Sequence, residues 1–269
     1  MPASAVLAQP GGHVVDFAPH RAVYDITLAR AANGSGVADM SGLMVYELVG
    51  SRCDGYTQNM RFATRMTTNK GRRQLNDLIT SSWEDGRGGR LRFNSSQFQD
   101  QKLVQATQGD AGRKQDGGTI DVNLTKPQLR KLALKQGTYF PMQHATELIQ
   151  SARAGRTLFA AKLYDGSDKG EKVYDTNALI GRVWKPGDKP LSTKAKDAER
   201  LIGLSSWPVS ISYYEPGSEK LDAVPVYEMS FRYFDNGVTT KLTIDYGDFA
   251  IDGKLRELTF LEKVTCDAE

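Results

Sequence analysis

The sequence predicts a mainly β protein built on one large antiparallel sheet. Three observations carry this reading. Apolar and polar residues alternate with a period of two in segment after segment, the pattern of half-buried strands. Helical spacing is confined to the middle of the chain, with strands on both sides and no strand–helix–strand rhythm. Asp235-Asn236-Gly237, between two alternating runs, supplies a turn in which positive φ costs little.

In chain order, residues 1–19 carry little periodic pattern and are expected to form a loose tail. Residues 20–269 are expected to form one continuous unit, because no linker interrupts them. Tyr24, Ile26 and Leu28 share a strand face, and Leu43 to Val49 is apolar on both faces, as in a central strand. Tyr56, Met60, Phe62 and Met66 line one side of the next strand, with Thr57, Asn59, Arg61, Arg65 and Thr67 opposite. Ile120, Val122 and Leu124 alternate with Asp121 and Asn123. Two helices are expected next. In the first, Thr125 caps, Pro127 sits in the first turn, and Leu129, Leu132, Ala133 and Gln136 follow at helical spacing. The second spans about 142–154, with Ala145, Leu148, Ile149 and Ala152 as its stripe and Gly155 as its stop. A third helix is expected within 192–202, after an exposed Lys-rich loop. Val209, Ile211 and Tyr213 resume the alternation. Tyr227, Met229, Phe231 and Tyr233, then Val238 to Tyr246, then about 255–265 complete a meander that ends at Cys266.

At 39% hydrophobic and 25% charged, the 269 residues suit a globular protein with a sizeable core. No apolar run approaches the ~18 residues of a membrane span. A net charge of +3 is too mild to argue for nucleic acid. Charge is nonetheless uneven: residues 61–92 hold eight Lys/Arg against three acids, and 242–269 hold seven acids against three bases. The basic run reads first as a solvated strand face, and second as a surface for an anionic membrane or glycan.

Catalytic and cofactor signatures are absent. The chain has no dinucleotide or P-loop glycine pattern, no HExxH, no GxSxG and no SxxK, so no cofactor is expected. Gly86-Arg87-Gly88-Gly89 sits between strands and reads as a turn. His13 and His20 fall in or at the tail, and His144 reads as an exposed or capping residue rather than a general base. Trp83, Trp184, Trp207 and the tyrosines 213, 214, 227, 233 and 246 could line an acyl pocket, but aromatic strand faces ordinarily fill a core. Asn33, Asn94 and Asn123 head short Asn-x-Ser/Thr patterns of little weight. Cys53 and Cys266, 213 positions apart, belong to no metal-ligand spacing. They are either one long-range disulfide or two free thiols. The even count and strand-like surroundings favour the disulfide, and with it an oxidising compartment.

The run His20-Arg21-Ala22-Val23-Tyr24-Asp25-Ile26-Thr27-Leu28, the segment Gly42-Leu43-Met44-Val45-Tyr46-Glu47, and Cys53-Asp54-Gly55-Tyr56 resemble the EipB family of bacterial envelope-integrity proteins. Tyr227-Glu228-Met229, Asp235-Asn236-Gly237 and the terminal Cys266 continue the likeness, which covers about residues 20–266. The resemblance implies a β-spiral, part of it like the half-barrel of lipoprotein carriers, with helix packed in its curve. It implies a periplasmic protein whose signal peptide has been removed, and a disulfide between Cys53 and Cys266. It also implies a role in envelope integrity under stress without catalysis. The expected mode of action is binding of a lipid, lipoprotein or periplasmic protein partner. A hydrolase acting on envelope glycan or lipid through sheet carboxylates is the alternative, and a pure scaffold is the third possibility.

Overall fold

The computed structural model describes residues 14–114, 118–191, 193–217, 223–264 and 266. All 15 strands among them join one sheet. The first arm is a meander of long strands: β1 (His20–Ala31), β2 (Val37–Ser51), β3 (Gly55–Thr68), β4 (Arg73–Glu84), β5 (Arg90–Gln99), β6 (Lys102–Arg113), β7 (Ile120–Lys126) and β8 (Arg130–Leu134). The chain then crosses through β9 (Thr138–Tyr139) and the helix α1 (Pro141–Arg153) to the opposite edge. It returns through β10 (Leu158–Leu163), β11 (Tyr174–Ile180), β12 (Ser206–Tyr214), β13 (Tyr227–Phe234), β14 (Thr239–Asp245) and β15 (Phe249–Phe260). The last strand pairs antiparallel with the first, Ala22 opposite Leu258 and Tyr24 opposite Leu255. The two chain ends therefore meet in the middle of the sheet, and the arms extend to either side. Among the described strands only the two-residue β9 pairs in parallel, with β10.

Alternation assigns one face of this curved sheet to the interior. Ala22, Tyr24 and Ile26 of β1 point inward, together with Leu242 and Ile244 of β14 and Ile251 and Leu255 of β15. A second cluster packs the inner face of β11 and β12 (Ala178, Ile180, Trp207, Val209, Ile211) on α1. Tyr213 and Tyr227 stack within it at 4.3 Å. The aromatic strand faces thus fill the core: Trp207, Tyr213 and Tyr233 are buried, while Tyr246 is partly open.

The helix forms where the spacing predicted it. Pro141 opens its first turn and Gly155, at φ 71°, follows its end. Met142, Leu148, Ile149 and Ala152 are its buried side. The two other expected helices are corrected. Residues 125–136 form the hairpin of β7 and β8, in which Val122 faces Leu132 and Ile120 faces Leu134. Leu129 is 85% exposed, so the apolar set that counts is Leu132 and Leu134 at period two. The local cap signals lose to burial of these residues against the rest of the first arm. Among the described residues 193–202 only a short 3-10 turn forms, Ala198–Leu201, which buries Ala198 and Leu201 under the seam. Part of the expected tail is also corrected. Val15 and Phe17 are core residues, Ala18 donates its N–H to the Asn236 carbonyl (2.9 Å), and Phe17 packs over Gly237. Residues 1–13 lie outside the described residues.

The sheet curls until its ends touch. Leu91, Phe93, Val122, Leu124 and Leu134 of the first arm pack on Phe140 and Tyr164, which flank α1 and β10. Two glycines make the close approach possible. A Cβ at Gly166 would lie 2.3 Å from the Phe93 ring, and one at Gly170 would lie 2.5 Å from Leu124. Both also have positive φ, where a side chain is strained. Gly166→Ala is therefore expected to lower stability by about 1–3 kcal/mol, read as an earlier thermal or urea transition. Unchanged melting would show that the two ends do not bear on each other.

Candidate functional site

Only part of the first arm covers the core. The lengths of β2–β5 nearer Met44, Phe62 and Leu78 leave both faces partly open. On the outer face, turned away from α1, register sets side chains into rows: Ala63 faces Asp77, Asp77 faces Phe98, and Leu43 faces Ala63. Leu43, Ala63, Leu75, Ile79 and Phe98 line a depression of about 660 Å³ there. Leu75 and Ile79 are 42% and 41% exposed, on strands that could as readily present polar residues. Basic groups border it. Arg61 forks onto Asp77 (Nε–Oδ1 3.0 Å, Nη2–Oδ2 2.7 Å), and Arg65 carries no ion pair among the described residues.

Further along the same face the character changes. Thr57, Trp83, Arg92, Asp110 and Asn123 stand opposite one another on five successive strands. Ser81, Asn94 and Gln108 form the neighbouring row. Together they floor a depression of about 810 Å³ that Arg90 and Lys114 also border. The Trp83 indole donates to the Asp54 carbonyl (3.2 Å), and the Arg92 guanidinium lies over its ring at 5.5 Å. Asn123 donates to Asp110 (3.1 Å) and Lys114 pairs with Asp121 (3.4 Å). Arg92 stands across from Asp110, but neither it nor Arg90 forms an ion pair among the described residues. The basic run seen in the sequence thus contributes Arg61, Arg65, Arg90 and Arg92 to one face. Sequence reasoning singled out Trp83 and these arginines but did not bring them together with Leu75, Ile79, Asn94, Asp110 and Asn123. The one usable signal was the two-sided apolar character of Leu43 to Val49.

Cys53 and Cys266 are bonded, with Cα atoms 5.8 Å apart. The bond ties the β2–β3 turn to the segment after β15. It adjoins the polar depression, since Asp54 holds the Trp83 indole and the ring covers Gly55. Closing a loop of 213 residues is worth about 5 kcal/mol in the chain-entropy account. Cys53→Ser is expected to melt earlier than wild type under oxidising conditions and to match it in the presence of reductant. Equal melting in both conditions would remove the bond from the stability of the fold.

Two buried ionisable groups stand at α1. Glu84 of β4, 2% exposed, accepts the Met142 and Gln143 N–H groups (2.6 and 2.9 Å) and so caps the helix from another strand. Arg113 braces the same corner by donating to the Gln143 side chain and the Thr138 carbonyl (both 3.0 Å). Burial pushes the Glu84 carboxyl up to about 8, against the pull of the two N–H groups. A hydrolase would need such a raised carboxyl in an open pocket beside a second one. Glu84 lines a small cleft of about 180 Å³ with Asp85 and Glu147, but it is almost wholly buried and both its oxygens are taken by the helix N–H groups, which gives that reading no support. His144, expected at the surface, is instead buried. Its Nε2 lies 3.1 Å from Thr176 Oγ1, and burial lowers its pKa to about 4. His20 is likewise buried, in β1, and His13 lies outside the described residues. Trp184, half-buried, packs under Arg232 at 5.0 Å. No cluster of three His, Cys, Asp or Glu among the described residues could hold a metal ion, and no helix there is long and apolar enough to cross a membrane.

The two groups give opposite pH slopes. The folded state favours protonated Glu84, so its contribution is full below the ordinary glutamate value and is lost as pH rises through about 8. The folded state favours neutral His144, so stability falls as pH drops from 6.5 towards 4. Between pH 6.5 and 8 the wild-type melting temperature is expected to decline while that of Glu84→Gln stays flat. Parallel curves for the two proteins would show that Glu84 does not titrate in this window.

This architecture has known counterparts. A family model described as EipB-like matches residues 12–262. The cell envelope integrity protein EipB of Brucella abortus (strain 2308) is 39% identical over 251 residues, 93% of this chain and 87% of that protein. A crystal structure of a β-barrel-like protein with a domain of unknown function, also from Brucella abortus, superposes with a TM-score of 0.83 at 36% identity, covering 92% of this chain and all of that one. The sheet topology and these matches together place the chain in the EipB-like family.

Proposed function

We propose that the protein is a non-enzymatic periplasmic factor that supports envelope integrity by binding an acylated partner, a lipid or lipoprotein, on the outer face of β2–β5. The relative from Brucella abortus carries an envelope-integrity name, which supports the cellular role. The observation that carries the binding mode is the exposed apolar depression of Leu43, Ala63, Leu75, Ile79 and Phe98. A methylene fully removed from water gains about 0.8 kcal/mol and one lying on this open face gains part of that, so binding should strengthen with acyl length. Leu103 and Val104, 57% and 54% exposed on the adjoining β6, widen the surface. Arg65 at the rim suits a partner with a negative head. The location rests on the long-range disulfide, which belongs to an oxidising compartment.

Ile79→Glu tests the surface. The position is exposed, so the variant is expected to melt within about 1 °C of wild type. A strain lacking the native protein and supplied with this variant is expected to stay sensitive to detergent, whereas wild type restores growth. Full rescue by Ile79→Glu would move the working surface elsewhere.

A further inference from the structure

The apolar and polar depressions are two ends of one surface. Leu75, Asp77, Ile79, Ser81 and Trp83 all point to the outer side of β4, and the β5 residues opposite the last four (Phe98, Ser96, Asn94 and Arg92) do the same. Ile79 and Ser81 are immediate neighbours on that face, so nothing separates the depressions. From Leu75 to Trp83 the strand covers eight residues, about 27 Å.

The polar end has the chemistry of a saccharide site. Asn94, Gln108, Ser81 and Asp110 offer donors and acceptors side by side, as vicinal hydroxyls require. Trp83 stands in the same row and serves as the platform for Arg92. Arg92 lies over that ring, and a stacked guanidinium keeps its in-plane N–H groups free for an anion. Arg90, two residues before it on the same strand face, adds a second cation that faces no carboxylate partner among the described residues. Carboxylates are present too, but Asp110 is held by Asn123 and Asp121 by Lys114. Asp110 keeps its charge beside that amide, but Arg90, Arg92 and Lys114 still outnumber Asp110 and Asp121 by one, which leaves the sugar end net positive.

We infer that the ligand of this face is an anionic glycolipid. Its acyl chain lies over Leu43, Leu75, Ile79 and Phe98, and its acidic saccharide lies on the row of Trp83, Arg92, Asp110 and Asn123. The inference rests on the acyl-binding reading above and adds the head group to it. The free phosphate or carboxylate of a simple lipid would use Arg65 alone and leave the polar row idle.

Isothermal titration of the full chain with three amphiphiles, each below its micellar concentration, separates the two readings. The probes are dodecyl β-D-glucuronide (chain, sugar and charge), dodecyl β-D-glucoside (chain and neutral sugar) and dodecanoate (chain and charge). The glucuronide is expected to bind about tenfold more tightly than either of the others, the worth of one charge-assisted hydrogen bond. Arg92→Gln, at an exposed position, is expected to bring the glucuronide down to the glucoside and to leave dodecanoate unchanged. Ile79→Glu is expected to weaken all three. Dodecanoate binding as tightly as the glucuronide, or a glucuronide indifferent to Arg92→Gln, would overturn the glycolipid and leave acyl binding standing. No binding by any of the three, or binding indifferent to Ile79→Glu, would overturn both.

Discussion

The structure depends on the pairing of its first strand with its last. The ladder from His20–Phe260 to Ala31–Phe249 joins two arms that are otherwise separate meanders. At its centre Tyr24 is fully buried, and its hydroxyl reaches the Thr239 carbonyl (2.8 Å), so the seam reaches into β14 as well. Bringing residues so far apart in sequence together is entropically costly, and the interior cluster around Tyr24, Ile26, Ile251 and Leu258 offsets that cost. The Cys53–Cys266 bond lies one strand beyond the seam and fastens the same two regions covalently. With the seam in place, each arm has only to curl. The Gly166 and Gly170 contacts with Phe93 and Leu124 determine how far.

Much of this was legible in the sequence. Strands were visible because period-two alternation is written into each segment, as in Tyr227 to Tyr233 and its return through the Asn236-Gly237 turn. Helix α1 was visible because its stripe and its stop agree. Residues 125–136 misled because Thr125 and Pro127 form a local helix start, while the deciding contacts of Leu132 and Leu134 come from β7 and Phe140. His144 misled for a similar reason. Its position near a helix start says nothing of the Phe159 ring, 5.2 Å away, that covers it. The outer surface was hidden more deeply. Trp83, Arg92, Asp110 and Asn123 are spread over some 40 positions, and only the accumulated register of four strands aligns them.

The two faces of the first arm carry different burdens. Its inner face near Tyr56, Glu84, Leu91 and Phe93 meets the core, where volume and polarity are tightly constrained. Its outer face bears no such load, yet it keeps Leu43, Leu75 and Ile79 in contact with water. Stability does not ask for these residues, and solubility argues against them. A face that is costly to the free protein and graded from apolar to cationic along a single strand fits a surface shaped by what it meets.

The placement of both chain ends at the seam also bears on how the protein is made. A ribosome delivers β1 first and β15 last, more than 200 residues apart. Throughout elongation the meander of β1–β8 can form, but β1 remains a sheet edge with open N–H and C=O groups and the apolar Ala22, Tyr24 and Ile26 uncovered. The final strand fills that edge, so closure is a late, single event rather than a gradual one. A nascent or truncated chain that lacks everything from Phe249 onward would therefore present a long strand edge to its neighbours. Such a chain would be a substrate for chaperones and proteases long before it was a weakened version of the finished molecule.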